Sequence, residues 1–255
     1  MTKRYFVPNL LAQAPTVALS AAESLHAAKV MRSQVGDTIE LFDGEGHQCD
    51  AELVTVSPKQ CICSCQTPQT VDREPTRSLS LAIAMPRPER AKEMVERLTE
   101  LGVDQLWPLR CERTQRDPPG SLAAKLDRIV VEACKQSGRN RRMKVHPLEP
   151  LSAFLSRFTR EADTGDASLA PIPSLRWVAV PGGESIGQRL REAGPSNSGL
   201  PTPDRCTAVI GPEGGLTEGE ARSLRQADFV AVDLGKRILR VETAAVALAC
   251  RWLTD

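Results

Sequence analysis

The sequence is poor in the patterns on which many nucleotide and metal enzymes depend. It has three histidines, His26, His47 and His146, and no His-x-x-x-His pair, so a zinc hydrolase or a histidine-based triad has no obvious set of residues. His26 falls in a helix-period segment and His146 in a strand-like one, where each reads as structural. No Gly-x-Gly-x-x-Gly follows a strand and no P-loop lysine motif occurs, which disfavours a Rossmann dehydrogenase or a kinase. A charged-then-apolar leader is missing, and no apolar run reaches bilayer length, so no membrane partner is expected. Excess charge is missing as well: 33 Lys and Arg stand against 32 Asp and Glu. Net charge therefore does not announce a nucleic-acid binder, and the distribution of charge has to decide.

What is present is ordinary globular composition, 41% apolar and 25% charged over 255 residues, enough for one large or two modest domains. The eight cysteines read as reduced thiols of a cytoplasmic protein. Cys61, Cys63 and Cys65 share one face of a period-two segment, which favours core packing over a metal site. No metal is expected.

Residues 1–72 read as a small β-rich module: a first strand over Tyr5 to Val7 and a helix capped by Ser20 and Glu23 that continues through Met31. A hairpin of Thr38 to Phe42 with Cys49 to Val56 turns at Asp43-Gly44-Glu45-Gly46, and a further strand covers Gln60 to Gln66. Short strands around one helix suggest a small barrel. A polar connector, Thr67 to Arg77, contains the boundary. Residues 73–255 then change period. Leu79 to Ala84, Pro88 to Leu101 and Gln105 to Leu109 form a βαβ unit with Gly102 as helix stop. A helix over Ser121 to Ser137, a strand over Val145 to Leu148 and a helix over Ser152 to Phe158 follow. The segments Asp163 to Ser174 and Gly194 to Asp204 look like surface loops or insertions.

The last third plays strand, loop, helix three times. The strands are Trp177 to Val180, Thr207 to Ile210 and Phe229 to Leu234. Their loops are Pro181-Gly182-Gly183-Glu184, Gly211-Pro212-Glu213-Gly214-Gly215 and Gly235-Lys236-Arg237. Thr217 and Glu220 form a capping box after the second. Glu242 to Trp252 is an alanine-rich helix expected to be buried against two neighbours, one of which is a candidate second copy of the chain. Loops at the carboxyl ends of parallel strands are where small ligands bind in α/β folds.

IGPEGGLTEGE followed by LGKRILRVETAA resembles the C-terminal signature of the small-subunit (16S) ribosomal RNA uridine N3-methyltransferases of the SPOUT superfamily. Weaker matches run in order along the chain, among them Arg4-Tyr5-Phe6-Val7, Leu41-Phe42-Asp43-Gly44, Cys111-Glu112-Arg113-Thr114 and Gln136-Ser137-Gly138-Arg139-Asn140. Departures from the pattern occur at Arg97, Lys135 and Arg142-Met143.

The resemblance implies an α/β fold with a C-terminal SPOUT-type parallel sheet tied in a trefoil knot, and an N-terminal PUA-like β-barrel that binds RNA. It implies a homodimer, S-adenosyl-L-methionine (SAM) as methyl donor, and 16S rRNA or the small ribosomal subunit as partner. The donor is expected against Val180, Pro181 and Gly182, against Ile210, Gly211, Pro212, Glu213 and Gly215, and against Leu234, Gly235, Arg237, Ile238, Leu239 and Thr243. Backbone amides and carbonyls suit such a ligand, because glycine lets the chain approach it closely. Methylation at uracil N3 needs orientation and loss of a proton, so a cation beside the carbonyl oxygens stabilises the developing charge. Arg240 is the candidate for that role, and Glu242 for orienting it or accepting the proton. A carboxylate at a helix N-terminus is favourable without any catalysis, which leaves Glu242 open.

RNA contact is expected from the stretch 110–144. There ten basic residues (Arg110, Arg113, Arg116, Lys125, Arg128, Lys135, Arg139, Arg141, Arg142 and Lys144) accompany four acidic ones (Glu112, Asp117, Asp127 and Glu132). Arg113, Arg139, Arg141 and Arg142, with Arg4 and Arg32 from the barrel, are the RNA candidates. Two alternatives stay open: an RNA- or ribosome-binding module without catalysis, and a methyltransferase for another RNA position.

Overall fold

The computed structural model describes residues 3–114, 121–160, 174–192 and 204–254. The chain divides into two compact units, one of residues 1–74 and 130–142, the other of residues 75–129 and 143–255. The segment 130–142, continuous in sequence with the second half, is thus grouped with the first unit.

The first unit is built on a curled six-stranded sheet. Its strands are β1 (Arg4–Phe6), β2 (Thr16–Ala18), β3 (Thr38–Phe42), β4 (His47–Thr55), β5 (Ile62–Cys65) and β6 (Gln69–Thr70). They pair in the order β1-β3-β4-β5-β2, with β6 added to β4. In β4 the inward positions Cys49, Ala51 and Leu53 alternate with exposed ones, as period two requires. They meet Tyr5, Leu41, Cys61 and Cys63 in one core cluster. Burial pushes the Cys49 and Cys63 thiols up to about 12, as expected of packing residues. The β3–β4 hairpin closes on Asp43, whose carboxylate accepts the backbone N–H groups of Glu45 and His47 and meets the His47 ring at 2.6 Å.

Helix α1 (Leu10–Gln13) is short. Ser20 caps α2 (Ala21–Leu25) by accepting the Glu23 N–H. The expected single helix through Met31 instead changes pitch, because His26–Val30 is a π-helical turn with Met31 N–H donating to the His26 carbonyl.

The second unit is a seven-stranded parallel sheet. It contains β7 (Ser78–Ala84), β8 (Gln105–Arg110), β9 (Lys144–Val145), β10 (Glu149–Pro150), β11 (Ser174–Ser185), β12 (Arg205–Ile210) and β13 (Val230–Asp233). The order is β10-β8-β7-β12-β11-β13, with β9 on β8. Its central strand β7 is buried along most of its length, as a strand covered on both faces must be. Helix α3 (Pro88–Glu100) turns its Ala91, Met94, Val95 and Leu98 inward and ends before Gly102, at φ +93°. Pro88 sits at the first helical position, where a missing N–H costs nothing. Helix α4 (Leu122–Ser137) crosses the division between the units. Helices α5 (Leu151–Arg160) and α7 (Glu218–Gln226) bring Phe154, Leu155 and Leu224 to a core cluster with Val178, Val209 and Phe229.

Helix α8 (Val241–Leu253) packs on α3, β7 and β12, burying Ala244, Ala245, Leu248, Ala249 and Trp252. The Trp252 indole donates to the Ser78 carbonyl at 2.8 Å. Among the described residues no helix is long and apolar enough to cross a membrane.

Two elements of the second unit also depart from the sequence expectation. The strand expected over Val145 to Leu148 is split into β9 and β10, with His146 between them stacked on Trp107 at 3.3 Å. Burial, then Lys144 and Arg157, lower the His146 pKa to about 4, so the ring is neutral and its role is packing. Strand β11 does not stop at Val180. It loops out and returns, so that Ala179 and Glu184 both face Val232, and α6 (Ile186–Glu192) follows. The expected insertions lie outside the described residues over 163–173 and 194–203.

Candidate cofactor and RNA sites

The excursions of three neighbouring strands meet at their carboxyl ends. A cavity of about 350 Å³ there is lined by Val180 and Pro181 from β11, Ile210 to Leu216 after β12, and Asp233, Leu234 and Arg237 to Leu239 after β13, with Val241 and Ala244 from α8 closing it. Gly182, Gly235 and Thr243, also expected to hold the donor, are not among the lining residues. Ala179, Leu216, Asp233, Val241 and Ala244 are lining residues that sequence reasoning did not assign to the donor site.

Several side chains hold the loops in place. The Asp233 carboxylate accepts the Gly182 N–H and the Gly235 N–H, each at 2.8 Å, and so ties the β11 excursion to the β13 loop. Those two donors, Gly235 first, hold the Asp233 carboxyl below its usual range. Gly235, at φ +138°, turns where a side chain is strained. Behind the second loop, Arg113 Nη1 donates to the carbonyls of Gly214 at 3.0 Å and Leu216 at 3.4 Å. Glu220, 8% exposed, accepts the Thr217 N–H and the Glu112 N–H, completing the capping box of α7 and anchoring residues 111–114.

The lining suits SAM. Ile210, Leu234, Leu239, Val241 and Ala244 offer apolar walls for a purine and a thioether chain, the glycine loops expose backbone groups, and Glu213, Asp233 and Arg237 are the ionic residues. Close approach is built in at Gly211, where an added Cβ would lie 3.0 Å from Leu216.

Arg240 is the exposed N-cap of α8, between Leu239 and Val241 of the lining. No hydrogen bond or ion pair joins it to Glu242. The Glu242 side chain, 16% exposed, pairs through Oε1 with Arg90 at 3.6 Å and leaves Oε2 buried without a partner.

The basic residues divide by environment. Arg4 donates to Glu40, to the Cys134 carbonyl and to Asn140, and stacks on Phe42. Arg139 grips both oxygens of Glu74. Lys135 is buried between Glu23 at 2.6 Å and Glu132 at 2.8 Å. Arg142 lies over the Phe6 ring. Arg32, Lys125, Arg128, Arg141 and Lys144 are exposed, and Arg116 and Asp117 lie outside the described residues.

A family model for an RNA methyltransferase domain matches residues 72–253, and one for an RNA methyltransferase PUA domain matches residues 19–64. Ribosomal RNA small subunit methyltransferase E of Synechocystis is 33% identical over 92% of this chain and 72% of that protein. The Bacillus subtilis protein of the same name is 29% identical over 95% and 92%. Among solved structures, the Neisseria gonorrhoeae ribosomal RNA small subunit methyltransferase E bound to S-adenosyl methionine superposes with a TM-score of 0.79 at 26% identity, covering 100% of this chain and 98% of the other. A putative methyltransferase from Legionella pneumophila, with SAM bound, gives 0.81 at 26% identity and the same coverage. With its second unit matched almost throughout, and with a cavity walled by glycine loops at the carboxyl ends of a parallel sheet, the chain belongs to the RNA methyltransferase family.

Proposed function

We propose that this protein is a SAM-dependent methyltransferase that modifies N3 of a uridine in 16S ribosomal RNA. The observation that carries the reading is the cavity at the ends of β11, β12 and β13, walled by the GPEGG and LGKRIL loops. Bound SAM supplies an electrophilic methyl group; the chain supplies geometry and charge. The three loops bind the donor through backbone groups and exclude water with Ile210, Leu239 and Val241. Arg240, beside the cavity lining, places a cation near the uracil carbonyls as N3 loses its proton. Glu242 has one oxygen near Arg90 and one without a partner, which makes it the candidate proton acceptor.

Residues 1–72 act as a PUA-like RNA-binding domain and residues 73–255 as the methyltransferase domain. RNA is held on the first unit by the exposed arginines Arg32, Arg141 and Arg142, with Arg4 and Arg139 ordering that surface, and Arg113 is a separate RNA candidate on the second unit. The second domain carries a trefoil knot, and two copies pair through the outer face of α8, in the cytoplasm. A crystal structure tracing residues 174–253 checks both knot and pairing.

Mass mapping of 16S rRNA from a deletion strain, with and without the restored gene, tests the activity. Loss and recovery of one methyl on a uridine supports the proposal, and an unchanged map overturns it. Calorimetry with SAM separates the enzyme from a binding module that has lost its cofactor.

A further inference from the structure

The loop between β13 and α8 carries more positive charge than its surroundings match. Lys236, Arg237 and Arg240 are all exposed there, and among the described residues none of their side chains has an ion pair or a hydrogen bond. Exposed arginines elsewhere in the second unit do find carboxylates: Arg157 takes Glu149 and Arg225 takes Glu218. The acids nearest the loop in sequence are already engaged. Asp233 accepts the amides of Gly182 and Gly235, and Glu242 turns toward Arg90. Glu213, which lines the same cavity as Arg237, is one carboxylate against three cations.

The local fold does not favour this charge. Arg240 is the N-cap of α8, and Lys236 and Arg237 precede it, so the cations stand before the positive end of the helix dipole, where anions are the stabilising groups. The methyl donor does not neutralise them either. SAM carries a sulfonium and an amine against one carboxylate, so a filled cavity adds net positive charge beside Arg237. The matching anion has to come from outside the protein and its cofactor.

The same loop also has an apolar tip. Ile238 is 88% exposed, and among the described residues of the second unit it is the one large hydrophobic side chain left in water. It borders the cofactor cavity as well. An apolar tip between unmatched cations suits a polyanion whose sugars and bases offer apolar surface, which a free phosphate ion lacks. A second copy of the chain suits it less, because a two-fold contact through this loop would oppose the same three cations to themselves.

We propose that residues 235–240 form a docking surface for the RNA strand that carries the target uridine. Lys236 contacts a backbone phosphate beside that nucleotide, and Ile238 packs on the sugar or base of its neighbour. Donor and strand then meet on one loop, since residues 237–239 line the cavity while Lys236 and Ile238 reach into solvent. The assignment to RNA rests on the methyltransferase reading above.

The test uses the full-length protein with SAM present and a fluorescein-labelled oligouridine, titrated by anisotropy over a range of salt concentrations. Lys236→Ala is expected to weaken binding about threefold and to lower the salt slope by about 0.7, the share of one phosphate contact on a single strand. Ile238→Ser should weaken binding about threefold with the slope unchanged. Lys92→Ala, which removes an exposed cation already paired with Glu96, is the control and should change neither. A wild-type slope in Lys236→Ala overturns the proposal, and so does an equal fall in Lys92→Ala, which would reduce the effect to general charge. Sedimentation of the same variants covers the other occupant: weaker self-association with unaltered RNA binding assigns the loop to a second copy and overturns the RNA docking. The two readings fail separately. If wild type methylates 16S rRNA while Lys236→Ala keeps its slope, the docking surface alone is lost. If wild type leaves 16S rRNA unmethylated and the slopes are as expected, the docking surface is supported and the 16S reading is lost.

Discussion

Asp233 joins the loop that follows it to one 51 residues earlier in the chain, accepting the Gly182 N–H on Oδ2 and the Gly235 N–H on Oδ1. Both bonds go to a carboxylate, so removing it leaves two loop amides without their fixed acceptor. Asp233→Ala is expected to weaken SAM binding about tenfold while leaving far-UV circular dichroism unchanged. Isothermal calorimetry reads the first, and unaltered affinity would remove Asp233 from the site.

The same carboxylate sets an acid limit. Its pKa lies below the ordinary value, so the folded loops favour the ionised form. That contribution is present above the ordinary aspartate range, about 3.9, and is lost only as pH falls through the lower folded value. SAM affinity is therefore expected to show no step from Asp233 between neutral pH and the ordinary aspartate range, with loss only below that range. In Asp233→Asn that acid step should vanish. An acid step in wild type that persists unchanged in Asp233→Asn contradicts the assignment.

Arg113 reads from sequence as a phosphate contact, but its guanidinium holds the carbonyls of Gly214 and Leu216. Arg113→Ala is expected to weaken SAM binding about fivefold through a loosened GPEGG loop. If the residue's main partner is instead phosphate, SAM affinity will stay the same and the salt dependence of RNA binding will fall by about one unit of slope.

Local pattern made much of this fold legible. The capping box at Thr217 and Glu220, the stop at Gly102 and the alternation in β4 all depend on neighbours within a few residues, and the structure has each of them. The order of strand and loop also placed most of the cavity lining. What remained hidden depends on distant partners. Asp233 with Gly182, Arg113 with Gly214 and Glu220 with Glu112 meet only after the sheet has formed. Charge counted along the chain says nothing of burial, so Lys135 and Arg139 read as a basic stripe although Glu23 and Glu74 enclose them.

Gly183 is a further case, because its need for glycine is invisible until β13 lies beside it. A Cβ there would sit 2.8 Å from the Ala231 carbonyl carbon and 2.9 Å from its oxygen, both backbone atoms that cannot swing away. Gly182, with nothing within 4 Å of an added Cβ, has only its φ of +77° against substitution. Gly183→Ala is expected to destabilise by about 2 kcal/mol, as overpacking does, seen as a lowered Tm. A Tm equal to wild type would show that the β11 excursion does not hold this register.

Arg240 offers the sharpest separation of chemistry from binding. It is exposed at the N-cap of α8, with no side-chain capping bond to lose, so truncation removes charge without opening the core. Arg240→Ala is expected to keep Tm within a degree or two and SAM affinity within about twofold. Methyl transfer should fall about 100-fold or more, the scale seen when one preorganised charge-stabilising group is lost. Arg240→Lys keeps the charge but not the planar fork, and an intermediate rate is expected from it. The measurement is transfer of labelled methyl to 16S rRNA or small subunits under single-turnover conditions, which excludes product release. Near-normal transfer by Arg240→Ala would move the search for the stabilising cation to Arg237, whose side chain lines the cavity. A loss of SAM binding equal to the loss of rate would make Arg240 a donor-binding residue.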